Sequence, residues 1–394
     1  MIIGYTFIIL GIVMIIIKYL FRKNNHLVIK SNPNNNKLAI VIPAKYESKV
    51  IEGLIISIEK QSLHINNNDV YVVIEALDDP AIDIIKRHQV NYILKSNIKD
   101  NRKGYALNDA FKVITKEKDY DAYFIIDADN VLDKDYLLNM SKTLGMGYDI
   151  GIGYRNTKNG NSSIVSSASS LTFSMLNTLD NKNRLKNNCT LTISGTGFYI
   201  KGSIVKKWGG YPFHSLTEDY ELTLYAALNE LTVGYNEAAI FYDEQPIKYN
   251  DSIIQRTRWI KGYFEARKKY IGLIRKRLFK KSNNVNSLVT ELIGVKPFIC
   301  LLIGILILII LNIKNYLYIL IVLLFIYLIL FLFTLLLLYK EHGKLNINRQ
   351  LKIRLLYFYP VFMLSYIRCA IIALFSPNLG WKKIEHTVNN KSLI

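Results

Sequence analysis

Both ends of this chain are too apolar to rest in water, which restricts the fold to a polar domain held between membrane-contacting segments. Residues 1–20, MIIGYTFIILGIVMIIIKYL, are almost uninterrupted hydrocarbon, close to the ~20 residues that cross a bilayer. Lys18, Arg22 and Lys23 come at the far end of the apolar run, whereas a secretory signal carries its charges before it. The run therefore reads as a retained anchor over 1–22, with a cleaved signal peptide as the alternative. Positive charge stays on the cytosolic side, so the next domain is expected there. Near the other end, Phe298–Ile313 and Tyr316–Leu338 are broken by Asn312, Lys314 and Asn315, which predicts a tight helical hairpin through the membrane. A third run, Leu355–Phe375, contains Pro360 and Arg368. It either spans, leaving the C-terminus outside, or lies in the interface with the C-terminus inside. Lys340, Lys344, Arg349, Lys352 and Arg354 before it predict a cytosolic loop. The domains expected are an anchor at 1–22, a cytosolic domain at 37–270, a juxtamembrane segment at 271–296, a membrane region at 297–376 and a basic tail at 377–394.

Concentrating the apolar residues in these runs reconciles 51% hydrophobic residues with a formal charge of +19. A positive face beside anionic lipid accounts for the charge. No zinc knuckle, helix-turn-helix or aromatic-basic pattern accompanies it, so no nucleic-acid partner is expected. Cys189, Cys300 and Cys369 are scattered, and two sit in membrane runs. They form neither a disulfide framework nor a zinc-ligand spacing, as expected in reducing cytosol.

Between the apolar ends, strands and helices alternate. Lys37–Pro43 is a short apolar run ending in proline, a buried parallel strand in pattern. Ser48–Gln61 has apolar residues at helical spacing. Asp69–Ala76, Tyr92–Leu94 and Ala122–Ile126 predict further strands, and Ala81–His88 and Gly104–Lys116 further helices. This alternation predicts a mostly parallel sheet with right-handed crossovers, whose ligands bind beyond the carboxyl ends of the strands.

The polar residues at those ends are the candidate site. Asp127-Ala128-Asp129 closes the strand AYFII. Two carboxylates on such a turn offer hard oxygen ligands to Mg²⁺ or Mn²⁺, which completes its shell with phosphates and water; they are equally the residues of an ordinary solvated turn. Thr217-Glu218-Asp219 follows a Gly-Gly-Tyr-Pro turn at Gly209–Pro212 and opens a helical pattern over Tyr220–Leu228. It reads either as an N-cap with acids in the first turn or as a general base for an acceptor hydroxyl. Gln255-Arg256-Thr257-Arg258-Trp259 sets two guanidinium forks, suited to a diphosphate, beside an indole able to stack on a sugar. The same stretch also reads as a basic amphipathic helix on a membrane surface.

Taken together, these motifs resemble the family 2 glycosyltransferases, in particular membrane synthases similar to cellulose, hyaluronan and poly-N-acetylglucosamine synthases. The resemblance covers roughly Lys37–Tyr270. It rests on Val41-Ile42-Pro43-Ala44, Lys103-Gly104-Tyr105-Ala106-Leu107-Asn108, Asp127-Ala128-Asp129, Ser194-Gly195-Thr196-Gly197, Thr217-Glu218-Asp219 and Gln255-x-x-Arg258-Trp259. The tail Trp381–Thr387 is similar to a segment that follows the last membrane helix in some relatives.

The resemblance implies an α/β nucleotide-sugar-binding domain of the GT-A type, with N- and C-terminal transmembrane helices. Asp127 and Asp129 would hold the metal, and Asp127 also the donor. Asp219 would be the base, with Glu218 beside it. Ala44, Glu47, Glu75, Asp79 and Lys103 would line the donor site. Gln255, Arg256, Arg258 and Trp259 would line the diphosphate and acceptor site, with Gly195 and Gly197 letting backbone approach the acceptor. Three residues mark departures from the family: Glu75 and Asp79 stand where an Asp contacts the nucleotide base, and Tyr46 where an Asn is usual. The implied enzyme is an inverting, metal-dependent transferase in the cell membrane, using a nucleotide sugar, with UDP-sugars foremost. Its acceptor would be a growing polysaccharide or, alternatively, a membrane lipid. So few apolar runs would line a polymer channel only with a small partner subunit or a homo-oligomer. A non-catalytic membrane scaffold is the rival of another class.

Overall fold

The computed structural model describes residues 1–20, 36–97, 101–280, 282 and 284–376. Arg22, Lys23 and the expected basic tail with Trp381–Thr387 lie outside them. After α1 (Ile2–Leu20) the chain runs β1 (Leu38–Pro43), α2 (Ile51–Glu59), β2 (Val70–Ile74), α3 (Ala81–Arg87), β3 (Asn91–Leu94), α4 (Lys103–Glu117) and β4 (Ala122–Ile125). It continues through β5 (Val131–Leu132), α5 (Tyr136–Gly145), β6 (Ile150–Thr157), α6 (Ile164–Met175), a π-helical turn at Leu176–Asn181, α7 (Lys182–Lys186), β7 (Phe198–Lys201) and α8 (Gly202–Trp208). The remainder is α9 (Glu218–Leu228), β8 (Val233–Asp243), α10 (Tyr249–Leu278), α11 (Val285–Ile293), α12 (Lys296–Leu311), α13 (Tyr316–Lys340) and α14 (Arg349–Phe375).

The sheet order is β3-β2-β1-β4-β7-β6-β8-β5. The first four strands pair in parallel, as continuous apolar runs buried on both faces require. Ile40, Val72 and Phe124 pack on one side, and Val41, Val73 and Ile125 on the other. From β4 onward the sheet is mixed: β7 pairs antiparallel with β4 and β6, whereas β6 and β8 run parallel. The carboxyl ends of β1, β2 and β4 thus gather at one edge, which α9 and α10 close from the other side.

Three helical stretches are long and apolar enough to cross a membrane: Val285–Leu311, Tyr316–Lys340 and Arg349–Phe375; α1 is apolar but shorter. α1 lies antiparallel on α12. A Cβ on Gly304 would stand 2.7 Å from Gly4 O, and one on Gly11 would stand 2.9 Å from Pro297 O. These small residues let the two helices touch along their backbones. Although α12 and α13 are consecutive, they are splayed: α12 packs on α1, and α13 packs on α14.

The loop between α13 and α14 rests on the sheet domain. Buried Glu341 accepts from Tyr154 Oη (2.7 Å), Lys344 O accepts from Asn156 Nδ2 (2.9 Å), and Asn348 N donates to Asn161 Oδ1 (2.7 Å). Next, α14 follows the domain along its whole length. Leu351 and Leu355 pack on Val165 and Ala168 of α6, the Tyr359 hydroxyl bonds Thr172 Oγ1 (3.2 Å), and Ser376 O accepts from Lys261 Nζ. α10 is one unbroken helix across residue 270, so it carries the expected domain directly into the juxtamembrane segment.

Candidate active site

A cavity of about 1290 Å³ opens beyond the carboxyl ends of the strands. Its floor is the turn after β4. Asp127 N donates to Thr196 Oγ1 (2.8 Å), and that hydroxyl donates to Asn130 Oδ1 (2.5 Å). This bracing holds Asp127 and Asp129 against the cavity, where both line the wall. Lys103, at the start of α4, bonds Asp127 Oδ1 and donates to Gly195 O (2.6 Å); its Nζ is 3.8 Å from Glu218 Oε1. Burial works against the Lys103 charge, but Asp127, Glu218 and Asp219 outweigh it and raise its pKa.

Glu218 and Asp219 occupy the first turn of α9. Thr217 holds the N-cap position without capping: its hydroxyl makes no bond to the helix. Burial pushes Glu218 up to about 7, with Lys103 opposing the shift and Asp219 adding to it. Burial also raises Asp219, although the Tyr220 N–H, Lys103 and Arg155 pull the other way. Gly195 has φ +82°, and a Cβ there would stand 3.4 Å from Asp219 Oδ2, so this glycine permits both the left-handed turn and a clear approach to the carboxylate.

Gln255, Arg258 and Trp259 of α10 complete the wall. Burial lowers the Arg258 pKa against the pull of Glu218, Asp127 and Asp219. Among the described residues, Arg258 Nε, Thr217 Oγ1 and Ser215 Oγ are buried without a hydrogen-bond partner, and all three residues line the cavity. Buried polar atoms are normally paired, and these three stand beside the cavity wall.

At the β1–β2 end, Ala44, Glu47 and Glu75 also line the cavity. Glu75 is bridged by Lys45 (2.8 Å) and Lys95 (3.1 Å). Its burial opposes ionisation, but the two ammonium groups hold its pKa below the usual value.

Three expected site residues are placed elsewhere. Arg256 is 1% exposed and turns to α14, where it donates to Ser365 Oγ (2.8 Å) and lies 4.0 Å over the Phe362 ring. Residues two apart on a helix point to different sides, so Arg256 and Arg258 cannot share a ligand. Asp79 braces the chain: its oxygens accept from Tyr46 N and Ala81 N, both at 2.9 Å. The first bond supports Tyr46 at φ 54°, a conformation that costs little for asparagine and more for tyrosine. Gly197, at φ +65°, makes room for the Phe241 ring, 2.1 Å from where its Cβ would be.

Sequence reasoning missed Arg155. It reaches the cavity from β6, fixed by Asp243 Oδ2 (2.7 Å to Nε) and Ser194 O (2.6 Å to Nη1), and it lies 3.7 Å over Phe173, whose edge meets Trp259. A lone arginine inside a strand carries no motif; the π-helical turn that bonds its carbonyl through Asn177 and the register shift at Gly153/Tyr154 of β6 are local irregularities that point to it.

Raised carboxyl pKa values have a kinetic consequence. Glu218 titrates near 7, and Asp219 is raised by the same burial; a carboxyl protonated at low pH is unable to accept a proton. Turnover is therefore expected to climb as pH rises through about 7, and the inflection to fall in Glu218→Gln. A pH–kcat profile checks this; a profile flat down to about 5, near ordinary carboxyl values, would contradict it.

Residues 124–338 match the model of glycosyl transferase family group 2, and residues 39–207 that of glycosyl transferase family 2. No curated protein matches the sequence. Among solved structures, the mannosyltransferase PcManGT from Pyrobaculum calidifontis, in complex with GDP-Man and Mn²⁺, shares the fold. Its TM-score is 0.61 at 14% identity, over 95% of this chain and 99% of that one. TarS 1–349 of S. aureus, in complex with UDP-GlcNAc, aligns at TM-score 0.45 and 14% identity, over 66% of this chain and 72% of that one. With a family match over more than half of its length, the chain belongs to family 2 of the glycosyltransferases.

Proposed function

We propose that this enzyme sits in the cell membrane and transfers a sugar from a nucleotide sugar to the head of a membrane lipid, inverting the anomeric carbon. The observation behind the lipid acceptor is the shape of the cavity. It runs without a break from Asp127, Glu218 and Asp219 to an aliphatic wall of Leu302 and Ile305 (α12), Leu330 (α13) and Ile367 and Leu374 (α14). The splay of α12 from α13 leaves that wall open towards the hydrocarbon. A growing polysaccharide, the acceptor first expected from the sequence, finds less support in such an apolar exit.

In this reading α1, α12 and α13 cross the bilayer and α14 lies in its interface, because both ends of α14 are held by the sheet domain. The basic α13–α14 loop supports a cytosolic position for the domain and for the C-terminal end of α14.

Ala44, Glu47 and Glu75 would receive the nucleoside, and Lys103 and Arg258 the diphosphate. Asp127 and Asp129 fit a divalent cation as hard oxygen donors at a strand end. Among the described residues no cluster of three or more such ligands exists, so the donor's phosphates and water would complete the shell. Bound there, Mg²⁺ or Mn²⁺ would offset charge on the diphosphate. Asp219 takes the proton of the acceptor hydroxyl as its oxygen bonds the anomeric carbon from the face opposite the leaving group. The carbon–oxygen bond to the diphosphate breaks, and Arg258 and Lys103 stabilise the departing charge.

The test supplies a panel of nucleotide sugars, a divalent cation and a lipid extract to isolated membranes. Labelled product is expected in the organic phase as one discrete glycolipid. Ile367→Trp, which fills the cleft without adding charge, is expected to cut that transfer at least ~10-fold, within the range known for mispositioned substrates, while nucleoside diphosphate binding stays unchanged. A water-soluble ladder of products would instead establish the polymer acceptor.

A further inference from the structure

The proposed base and the aliphatic wall belong to different helices: Asp219 to α9, Leu302 and Ile305 to α12. One chain of contacts joins them. Tyr220 follows Asp219 and donates its N–H to that carboxylate (2.8 Å). Its ring stacks on Tyr263 of α10 with centroids 4.9 Å apart, and its hydroxyl donates to Glu291 Oε2 of α11 (3.0 Å). Both tyrosines line the cavity.

Glu291 is 2% exposed, and its other oxygen accepts from Arg184 Nη1 of α7 (2.7 Å). An ion pair buried this deeply adds little stability over apolar packing, and its best-attested use is to fix register. Just beyond it α11 gives way to α12. Arg267 of α10 donates to Glu291 O and, at 3.1 Å, to Leu292 O, carbonyls of the last α11 turn that the helix itself leaves unpaired. The chain then turns at Gly294, φ +53°, where a Cβ would stand 2.5 Å from Tyr263 Oη. That same hydroxyl accepts from Val295 N (3.2 Å). Val295 and Phe298 line the cavity on the way to Leu302. The two tyrosine hydroxyls thus pin the α11–α12 joint from both sides, one at Glu291 and one at Val295.

We propose that Tyr220 is a positioning residue for the acceptor: through Glu291 it keeps the base-bearing turn in register with the start of α12, so that a lipid seated on the α12 wall presents its hydroxyl to Asp219. The anchored tail is what makes register matter. An acceptor held in an apolar wall cannot follow a base that moves, and a misplacement of about 1 Å can cost about 10²-fold. Water carries no anchor and reaches a displaced carboxylate from any open side. Loss of the Tyr220 hydroxyl therefore harms transfer to lipid more than it harms hydrolysis of the donor. The inference rests on the lipid acceptor proposed above.

The experiment uses the purified full chain in detergent with the nucleotide sugar that the panel identifies. Two rates are measured: labelled glycolipid formed with the lipid extract present, and nucleoside diphosphate released to water without it. Tyr220→Phe keeps the ring, its stack on Tyr263 and the N–H to Asp219, and removes only the bond to Glu291. The ratio of transfer to hydrolysis is expected to fall about 10-fold. Tyr225→Phe is the control. It deletes a hydroxyl from the same helix, one that accepts from Trp208 Nε1 (3.2 Å), and should leave the ratio unchanged. An unchanged ratio in Tyr220→Phe would overturn the inference. So would an equal fall in Tyr225→Phe, the sign of a general loosening of α9. Wild-type enzyme that releases diphosphate but forms no glycolipid would overturn the lipid acceptor, and this register with it; glycolipid from the wild type with an unchanged Tyr220→Phe ratio would overturn the register alone.

Discussion

Asp219→Asn is expected to lower turnover by about 10²–10⁴-fold, the usual contribution of a positioned general base, while leaving donor affinity within a few-fold or slightly tighter. The geometry separates the two effects. Asp219 Oδ1 already accepts the Tyr220 N–H at 2.8 Å, a bond the asparagine oxygen can keep, so the turn of α9 should survive. What is lost is a negative charge and a proton acceptor beside Gly195. Lys103 and Arg258 both feel that charge, and its removal leaves more positive potential for a diphosphate. Nucleoside diphosphate release with acceptor present and equilibrium binding without it measure the two quantities. Asp219→Asn retaining more than a tenth of wild-type turnover would move the base to Glu218, the neighbour whose pKa is pushed to about 7.

How much of this was readable beforehand depended on the kind of signal. The strands of the parallel half were legible because a strand buried on both faces must be a continuous apolar run: VYVVI and AYFI have few other uses. Asp127 and Asp129 were legible because polar residues following such a run can only emerge at the sheet's carboxyl edge. The mixed half was not. Phe198–Lys201 is a four-residue strand placed between β4 and β6 by pairing alone, and Arg155 became part of the site only through that placement. Arg256 and Arg258 look equivalent in sequence, and helix geometry sends them to opposite sides. Likewise, the apolar pattern of Leu355–Phe375 predicted a long helix, but the partners it packs against depended on contacts such as Arg256 with Ser365 that no local pattern encodes.

The same pair of arginines supplies the second large expected effect. Arg258→Ala should reduce kcat about 10²–10³-fold, the loss typical when one preorganised donor to developing charge is removed. Its Nε is buried and unpartnered among the described residues, and burial disfavours its charge while Glu218, Asp127 and Asp219 favour it. A cation kept under those conditions is poised for an anion that arrives with the substrate. Without it, less positive charge would face three carboxylates and a diphosphate, so donor affinity should also fall. Arg258→Lys restores the charge but not the planar fork; it is expected to recover donor affinity more fully than kcat. Arg256→Gln provides the contrast. That side chain clamps α14 through Phe362 and Ser365, so its loss should lower the unfolding temperature and leave nucleoside diphosphate affinity unchanged. Calorimetric titration of the diphosphate and thermal unfolding in detergent, run on the three variants together, separate the roles. If Arg256→Gln weakened binding as much as Arg258→Ala, the diphosphate would have to sit between the two arginines, and the division of labour drawn from their opposite orientations would fail.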